Sequence, residues 1–418
     1  MKMKTPAVDP SPRKIYGLIL LWYFLFYFYE CITSTYWVKY LQFHGLSPSH
    51  IGSIASVGLV LSLIMQPFWA TRTDKAKYKN NLQSFVLLGT MAAISLLFLP
   101  IPAKAVAPFL LMVYILYQVF QAPGAFLSDT IALENLERTG RPFGRVRLMG
   151  SIGWAVSGLL IGVLLGRNVE LFVPMAVVTG FALFAVQRSL PKVQGHMQKS
   201  ARSFRSIGTF LKNRAVYPVL IAEAGFSFGM SLTSIFLLAR FESLGGTTGM
   251  YGLFLFLATM TEIPYLFYGD RIVKRFGTTK VLVAVAITSA LRLFYLAWMP
   301  SWGYIFAVVM VQGILVLRIY CITTYINRAS PPELKASGQM LYATTTGSFR
   351  AVGSFCGGLL VERVFGGEYA HVFWVAGGIC VLTAVWIWIS MRRQGEVSEP
   401  LQVEVVLTEK EPKVSSSS

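Results

Sequence analysis

Twelve apolar stretches of about 20 residues or more run through this 418-residue sequence. A stretch of that length is long enough to cross the hydrocarbon core of a bilayer as an α-helix. We therefore predict an all-α integral membrane protein with twelve transmembrane helices. The predicted helices, numbered 1 to 12 in order, cover approximately residues 15–38, 48–70, 82–101, 106–128, 145–166, 170–189, 215–240, 248–269, 279–299, 302–326, 336–361 and 370–391.

The composition agrees with this prediction and excludes several classes of protein. Only 13% of the residues are charged, whereas a soluble globular protein has about 25%. A large core cannot explain the deficit, because a folded chain of this length still exposes much surface. A soluble enzyme is therefore excluded. The four cysteines lie in apolar stretches without metal-ligand spacing, so we predict buried thiols and no metal site.

The lysine and arginine residues lie mostly on one side of the predicted membrane. The formal net charge is +18, which in a soluble protein would indicate nucleic-acid binding. Here 27 basic residues fall in the segments that share a side with the chain ends, and five fall in the other loops. Basic loops stay in the cytoplasm. We therefore predict a cell (plasma) membrane protein with both termini cytoplasmic and no nucleic-acid partner.

Short motifs recur at a nearly constant offset, which indicates two related halves. The Thr-Ser pair at 33–34 recurs at 233–234, and the Arg-x-x-Gly-Ser motif at 147–151 recurs at 350–354. Parallel repeats with a site between them near the bilayer midplane are typical of transporters. We expect a central cavity lined by helices 1, 4, 7 and 10, with contributions from 5, 8 and 11.

This interpretation divides the chain into five segments. The two halves are joined by a basic, polar linker that could form an amphipathic surface helix, and the acidic, serine-rich tail is expected to be disordered. The segments are a cytoplasmic tail at 1–14, a six-helix half at 15–189, a cytoplasmic linker at 190–214, a second six-helix half at 215–393 and a cytoplasmic tail at 394–418.

Eight ionisable residues fall inside the predicted helices. Charges at this depth are costly, and by default they face a cavity or a partner, although static ion pairs between helices are the alternative. They are Glu30, Asp129, Arg147, Glu223, Glu262, Arg292, Arg318 and Arg350. Glu30 belongs to a stripe with Tyr27 and Ser34 on one face of helix 1, and Glu223 belongs to a similar stripe in helix 7. We expect both stripes to face the cavity.

Helix 5 carries a pair of side chains suited to a ring-shaped solute. Arg147 and Trp154 are seven residues apart and lie on one helical face. A guanidinium fork and a flat indole suit a sugar, and they also suit an aromatic carboxylate. Asp129 would complete the group by accepting a hydrogen bond from Arg147 or from solute hydroxyls.

The segment Phe-Gly-Arg-Val-Arg-Leu-Met-Gly-Ser-Ile-Gly-Trp-Ala at 143–155 resembles the lactose permease and phenylpropionate permease-like branch of the major facilitator superfamily. The resemblance implies the major facilitator fold, in which Asp129 and Arg147 contact the sugar and Trp154 stacks on it. It also implies that Arg350 faces the cavity and that Arg292 takes part in proton release.

Two other features bear on this resemblance. The conformational loop motif is represented by Asp74 and Lys75 in the first half, and by Arg275 and Gly277 in the second. Helix 10 lacks the His-x-x-acid pattern of lactose permease, because Leu315 and Arg318 stand there, but it keeps Gln312 as in the phenylpropionate-like group. A proton carrier must therefore be Glu30, Glu223 or Glu262, and we favour Glu262 beside Arg292.

These observations predict a secondary active transporter of a sugar or glycoside that works by alternating access, as a monomeric proton symporter. The alternative is the same fold carrying an aromatic carboxylate or nucleoside, as symporter, facilitator or exporter. An enzyme is not expected, since the helices contain no nucleophile–base pair. No cofactor is expected, and no Walker A motif is present. The expected partners are the solute, protons and the lipid bilayer.

Overall fold

The computed structural model describes residues 11–100, 104–137, 139, 141, 143–194, 216–329 and 335–394, and these ranges are almost entirely helical. Residues 1–10 of the predicted N-terminal tail (1–14), most of the linker and the tail beyond 394 lie outside the described residues, and the first helix begins at Pro12, inside the predicted tail. Twelve helical spans follow one another: α1 (Pro12–Phe43), α2 (Pro48–Lys75), α3 (Lys79–Phe98), α4 (Val106–Glu137), α5 (Phe143–Arg167), α6 (Val169–Ser189), α7 (Tyr217–Ser243), α8 (Thr248–Phe276), α9 (Thr278–Trp298), α10 (Trp302–Ala329), α11 (Lys335–Leu359) and α12 (Tyr369–Gln394).

Eleven of these spans, among the described residues, are long and apolar enough to cross a membrane. The remaining one, α11, has 25 residues but carries polar side chains such as Thr346 and Arg350. It packs between α2 and α7. The predicted all-α membrane fold is confirmed. Some predicted helices ended too early: α4 continues to Glu137, and its polar last turns include Glu134, which forms an ion pair with Lys79 of α3.

The two six-helix halves repeat one another in local geometry. Helix α1 breaks after Thr35 and α7 breaks after Ser234, and each then resumes as a seven-residue helix. Gly45 and Gly245, with φ of 75° and 86°, make the turns that follow. A left-handed φ favours glycine because it has no Cβ. The second half thus follows the course of the first.

Consecutive spans cross in opposite directions, so residues 12 and 394 lie at the same face, which we call the terminal face. At the other face, the opposite face, the halves meet closely. Lys39 forms an ion pair with Glu242, with 2.6 Å between Nζ and Oε2. Glu362, just after α11, accepts a hydrogen bond from the backbone N–H of Ser49 in α2 (2.9 Å). These hydrogen bonds and ion pairs join the two halves at the opposite face, so the structure is closed there.

Glycines let the helices of the two halves approach at this closure. A Cβ added at Gly252 of α8 would lie 2.3 Å from the carbonyl oxygen of Gly158 in α5. A Cβ added at Gly52 of α2 would lie 3.0 Å from the Cα of Gly358 in α11. Such distances leave no room for a side chain. Small residues at helix contacts are a known means of close packing in membranes.

Helices α4 and α10 are also interrupted inside the membrane. In α4 the break follows Gln121, because Pro123 has no N–H to donate to the carbonyl of Val119. The indole of Trp69 donates to that carbonyl instead, at 2.7 Å. In α10 the α-helix ends at Gln312 and continues as a 3₁₀ turn. Irregular backbone at this depth is tolerated where it lines a cavity or is otherwise satisfied.

Candidate functional site

The larger of two adjoining cavities lies between the halves and has a volume of about 480 Å³. It is lined by α1, α2, α4, α7 and α11. Helix α2 lines it, and α10 does not, in contrast to the expected set of helices. Its polar lining comprises one carboxylate, one guanidinium, three carboxamides and several hydroxyls, and its aromatic residues include Trp37 and Tyr114. The charged and amide groups are Glu30, Arg350, Gln66, Gln118 and Gln121.

A smaller cavity of about 270 Å³ lies beside it, among α5, α7, α8, α9, α10 and α12. It is lined by Trp154, Glu262, Arg292 and Gln312, among others. Ser234 of α7 lines both cavities. The two cavities are therefore adjoining lobes, which we call the large lobe and the small lobe. The tertiary structure places only some of the predicted site residues in these lobes: Glu30 and Arg350 line the large lobe, and Trp154, Glu262, Arg292 and Gln312 line the small lobe. The predicted solute-binding and proton-coupling residues that line neither lobe are Tyr27, Asp129, Arg147, Glu223 and Arg318.

Two groups in the small lobe are buried without a hydrogen-bond partner among the described residues. They are Nε of Arg292, whose residue is 7% exposed, and Oε1 of Gln312. Gly313 allows α10 to approach α8 here, since a Cβ at this position would lie 2.1 Å from the carbonyl oxygen of Thr261. A buried polar group without a partner costs free energy. These groups are therefore positioned to interact with a solute or with water.

Asp129 and Arg147 do not form an ion pair in the part of the chain that the structure describes. Asp129 accepts a hydrogen bond from the hydroxyl of Tyr23. The guanidinium of Arg147 lies 4.6 Å from the ring centroid of Tyr27, in cation–π contact. The two residues of the predicted pair are thus each held by a tyrosine of α1. Arg147 is exposed, and Trp154, on the same helix, lines the small lobe.

Glu223 lines neither lobe and is fully buried. Its carboxylate accepts two hydrogen bonds from Arg318, at 2.7 and 2.8 Å. It also accepts hydrogen bonds from Ser227 at 2.6 Å and from Thr346 at 2.9 Å. This arrangement is an ion pair that links α7, α10 and α11. Its geometry fits the alternative named above, in which a buried charge forms a static ion pair between helices.

The loop-motif residues lie at the terminal face. Asp74 and Lys75 are at the end of α2, where Lys75 is exposed and the side chain of Asp74 lies outside the description. Gly277 ends α8 with a φ of 82°. The guanidinium of Arg275 lies 5.5 Å from the ring centroid of Phe276.

The sequence reasoning missed Gln121. Its side-chain amide donates a hydrogen bond to Oε2 of Glu30, 91 positions earlier in the chain. An available signal was the sequence Gln-Ala-Pro at 121–123, which places an amide immediately before a helix break. No motif points to the pair itself, because the contact joins two different helices.

Comparison with known proteins places these features in a family. A sequence model of the family described as MFS_1 like family matches residues 18–373. The maltose permease of Geobacillus stearothermophilus is 28% identical over 394 residues, covering 90% of this chain and 94% of the relative. The probable 3-phenylpropionic acid transporter of Escherichia coli (strain K12) is 21% identical, covering 85% of this chain and 93% of the relative.

The fold is also found among solved structures. The crystal structure of the nucleoside transporter NupG matches with a TM-score of 0.78 at 15% identity. The match covers 90% of this chain and 99% of that chain. At this identity the likeness shows the fold alone.

Proposed function

This chain belongs to the MFS_1 like family and is a multi-pass membrane transporter of the major facilitator type, and from this premise we propose that it carries a sugar or glycoside together with protons. The observation that supports the sugar most is the chemistry of the two lobes. Each lobe combines amide and carboxylate groups with an indole, Trp37 in the large lobe and Trp154 in the small lobe. A ring with polar edges and an apolar face fits such a lining.

The balance of charge supports a neutral solute. The large lobe has Glu30 and Arg350, and the small lobe has Glu262 and Arg292, one acidic and one basic residue in each. The remaining polar groups are amides and hydroxyls, which can exchange hydrogen bonds with solute hydroxyls. Sites that hydrogen-bond solute hydroxyls reject analogues lacking them, because their own buried groups would be left unpaired. The similarity to the maltose permease agrees with this proposal.

The direction of access follows from the closure at the opposite face. The loops at the terminal face hold most of the basic residues, so we place this face in the cytoplasm. The structure would then be open inward and closed outward. Alternating access requires the contacts at the opposite face to separate while the halves close at the terminal face.

Glu262 is the proposed proton carrier. Protonating Glu223 would break two hydrogen bonds to Arg318. Glu262 has no ion pair within 4.0 Å among the described residues, and it shares the small lobe with Arg292. A proton can therefore bind Glu262 without breaking a salt bridge. Approach of Arg292 during the conformational change would favour the charged carboxylate and release the proton.

One uptake experiment tests the proposed function. Purified protein in proteoliposomes is given a labelled panel of disaccharides, nucleosides and aromatic acids, with and without an inward proton gradient. We expect a sugar to accumulate only when the gradient is present. Accumulation of an aromatic acid or nucleoside alone would contradict the sugar, and accumulation without the gradient would contradict proton coupling.

The carrier is tested with Glu262→Gln, which keeps the shape but removes the titratable group. We expect loss of accumulation but preserved counterflow exchange, because exchange needs no net proton movement. Glu170→Gln, at the exposed start of α6, is the matched control. Accumulation by Glu262→Gln at the control level would exclude Glu262 as the carrier.

An aromatic carboxylate is the second candidate solute. The observation that favours it is that Arg147 and Arg292 form no ion pair with any other described residue, so either could receive a carboxylate. The similarity to the probable 3-phenylpropionic acid transporter agrees with this candidate. A nucleoside is the other alternative, and the uptake panel distinguishes all three.

A further inference from the structure

Glu30 and Gln121 form a carboxylate–carboxamide pair that faces the large lobe. The amide nitrogen of Gln121 donates to Oε2 of Glu30. Oε1 of Glu30 accepts no hydrogen bond from the described residues, and the second N–H of Gln121 has no acceptor among them. The pair therefore presents the free Oε1 of Glu30, an acceptor, and the free N–H of Gln121, a donor, to the cavity.

The break in α4 fixes this pair in place. Gln121 is the last residue of the first helical segment, and Pro123 prevents the helix from continuing regularly. The bond from Trp69 to the carbonyl of Val119 satisfies the backbone that the proline leaves open. The amide of Gln121 is thus held by a rigid, satisfied backbone rather than by a mobile loop. Such support is what a preorganised binding group requires.

The second half contains a similar arrangement. Gln312 is the last residue before the break in α10, and it lies against Glu262 in the small lobe. Helices α4 and α10 are equivalent spans of the two halves, so each half supplies a glutamine at a break. The glutamates lie on helices that are not equivalent, α1 and α8, so the repeat supports the placement of the glutamine at the break and not the whole pair.

We propose that Glu30 and Gln121 together bind two adjacent hydroxyl groups of the transported solute. One hydroxyl donates to the free Oε1 of Glu30, and its neighbour accepts from the free N–H of Gln121. Gln121 also acts as a positioning residue, since it fixes the orientation of the carboxylate. The proposal rests on the proposed function and specifies it, because it requires a vicinal diol in the solute.

The vicinal diol could belong to a sugar ring or to the ribose of a nucleoside. An aromatic carboxylate such as 3-phenylpropionate has none. Matched probes separate these sources: methyl α-glucoside with its 3-deoxy analogue, which has no vicinal diol, uridine with 2′-deoxyuridine, and 3-phenylpropionate. Each probe competes for counterflow exchange in proteoliposomes, which avoids dependence on proton coupling.

The decisive variants exchange the two groups. Glu30→Gln and Gln121→Glu alone each destroy the acceptor–donor pair, and we expect each to weaken competition by the diol-bearing probe by about tenfold, the usual effect of losing a hydrogen bond to a charged group. The double variant Glu30→Gln/Gln121→Glu restores one carboxylate and one carboxamide at the same place. It should recover to within about threefold of the parent protein. The deoxy probe should be nearly insensitive to all three variants.

The outcomes separate this proposal from the proposed function. If uridine competes and the glucoside does not, the proposal of a sugar is contradicted. Recovery of uridine competition in the double variant then supports the proposal that Glu30 and Gln121 bind a diol. If the glucoside competes equally well in the parent protein and both single variants, the proposal that Glu30 and Gln121 bind a diol is contradicted. The proposal of a sugar is then unaffected. Competition by 3-phenylpropionate alone overturns both. A double variant no better than the single ones, with normal yield and melting temperature, also overturns the diol pair.

Discussion

The closure at the opposite face depends on glycines, and Gly252→Ala should open it. The added Cβ would lie 2.3 Å from the carbonyl oxygen of Gly158, whereas ordinary contacts begin near 3.4 Å. The atom in the way is backbone, so no side chain can turn aside, and α5 and α8 must separate by roughly 1 Å. Because these helices belong to different halves, the separation weakens the closed state and leaves each half intact.

The expected size follows from the cost of overpacking, which is about 1–3 kcal/mol. If that cost falls on the closed state alone, the ratio of open to closed molecules at the opposite face rises by about fivefold to 150-fold. Gly158→Ala should do less, because its Cβ would lie 3.2 Å from the nearest atom, the Cβ of Leu255, which is a much smaller overlap. Gly378→Ala in α12 is the control, since nothing lies within 4 Å of its added Cβ.

The assay is thiol labelling at Ser234→Cys, a position that lines both lobes. The four native cysteines are first replaced by alanine, and a membrane-impermeant reagent is added from the side of the opposite face. Labelling should increase in the order Gly378→Ala, Gly158→Ala, Gly252→Ala. Equal rates for Gly252→Ala and Gly378→Ala would refute the argument that these glycines hold the opposite face closed.

Three further predictions follow from other parts of the molecule. Trp154→Leu should bind a sugar about fivefold more weakly than Trp154→Tyr in a competition assay, because ring stacking contributes about 1 kcal/mol beyond burial. Equal affinities would mean that Trp154 contributes only by packing. Hydrogen bonds from Ser47 and Ser49 hold the pKa of Glu362 at about 2, below its ordinary 4.5. This lowered pKa means that the bond stabilises the closed face fully above about pH 4.5 and less as the pH falls toward 2. Because thiol labelling itself slows as the thiolate is protonated, the two proteins are compared at each pH, and labelling of the parent relative to Glu362→Gln should rise as the pH falls. Cysteines at Lys104 and Lys280 should label from opposite sides of the membrane, and labelling from one side would refute the topology.

The position of the spans was predictable because the bilayer acts on local sequence. Any segment that stays in the hydrocarbon core must satisfy its own backbone and bury few charges, so hydropathy alone locates it. The recurrence of the Thr-Ser pair, and the glycine turns at Gly45 and Gly245, belong to the same class of local information. The error at α4 has a matching cause: hydropathy locates the apolar stretch, whereas the helix continues past Asp129 through polar residues such as Glu134, which pairs with Lys79 of α3.

The sequence by itself therefore determined the membrane class, the number and approximate extent of the helices and the repeat of the two halves. It also identified the ionisable residues as the candidates for the site. Only the tertiary structure decided their partners, because a contact across the bundle depends on the rotation and depth of two helices. Arg318 reaches Glu223 across 95 positions and Gln121 reaches Glu30 across 91, while Asp129 and Arg147 turn to tyrosines of α1. Hydropathy carries no information about such rotations, since several helix faces are comparably apolar and packing against neighbours selects among them.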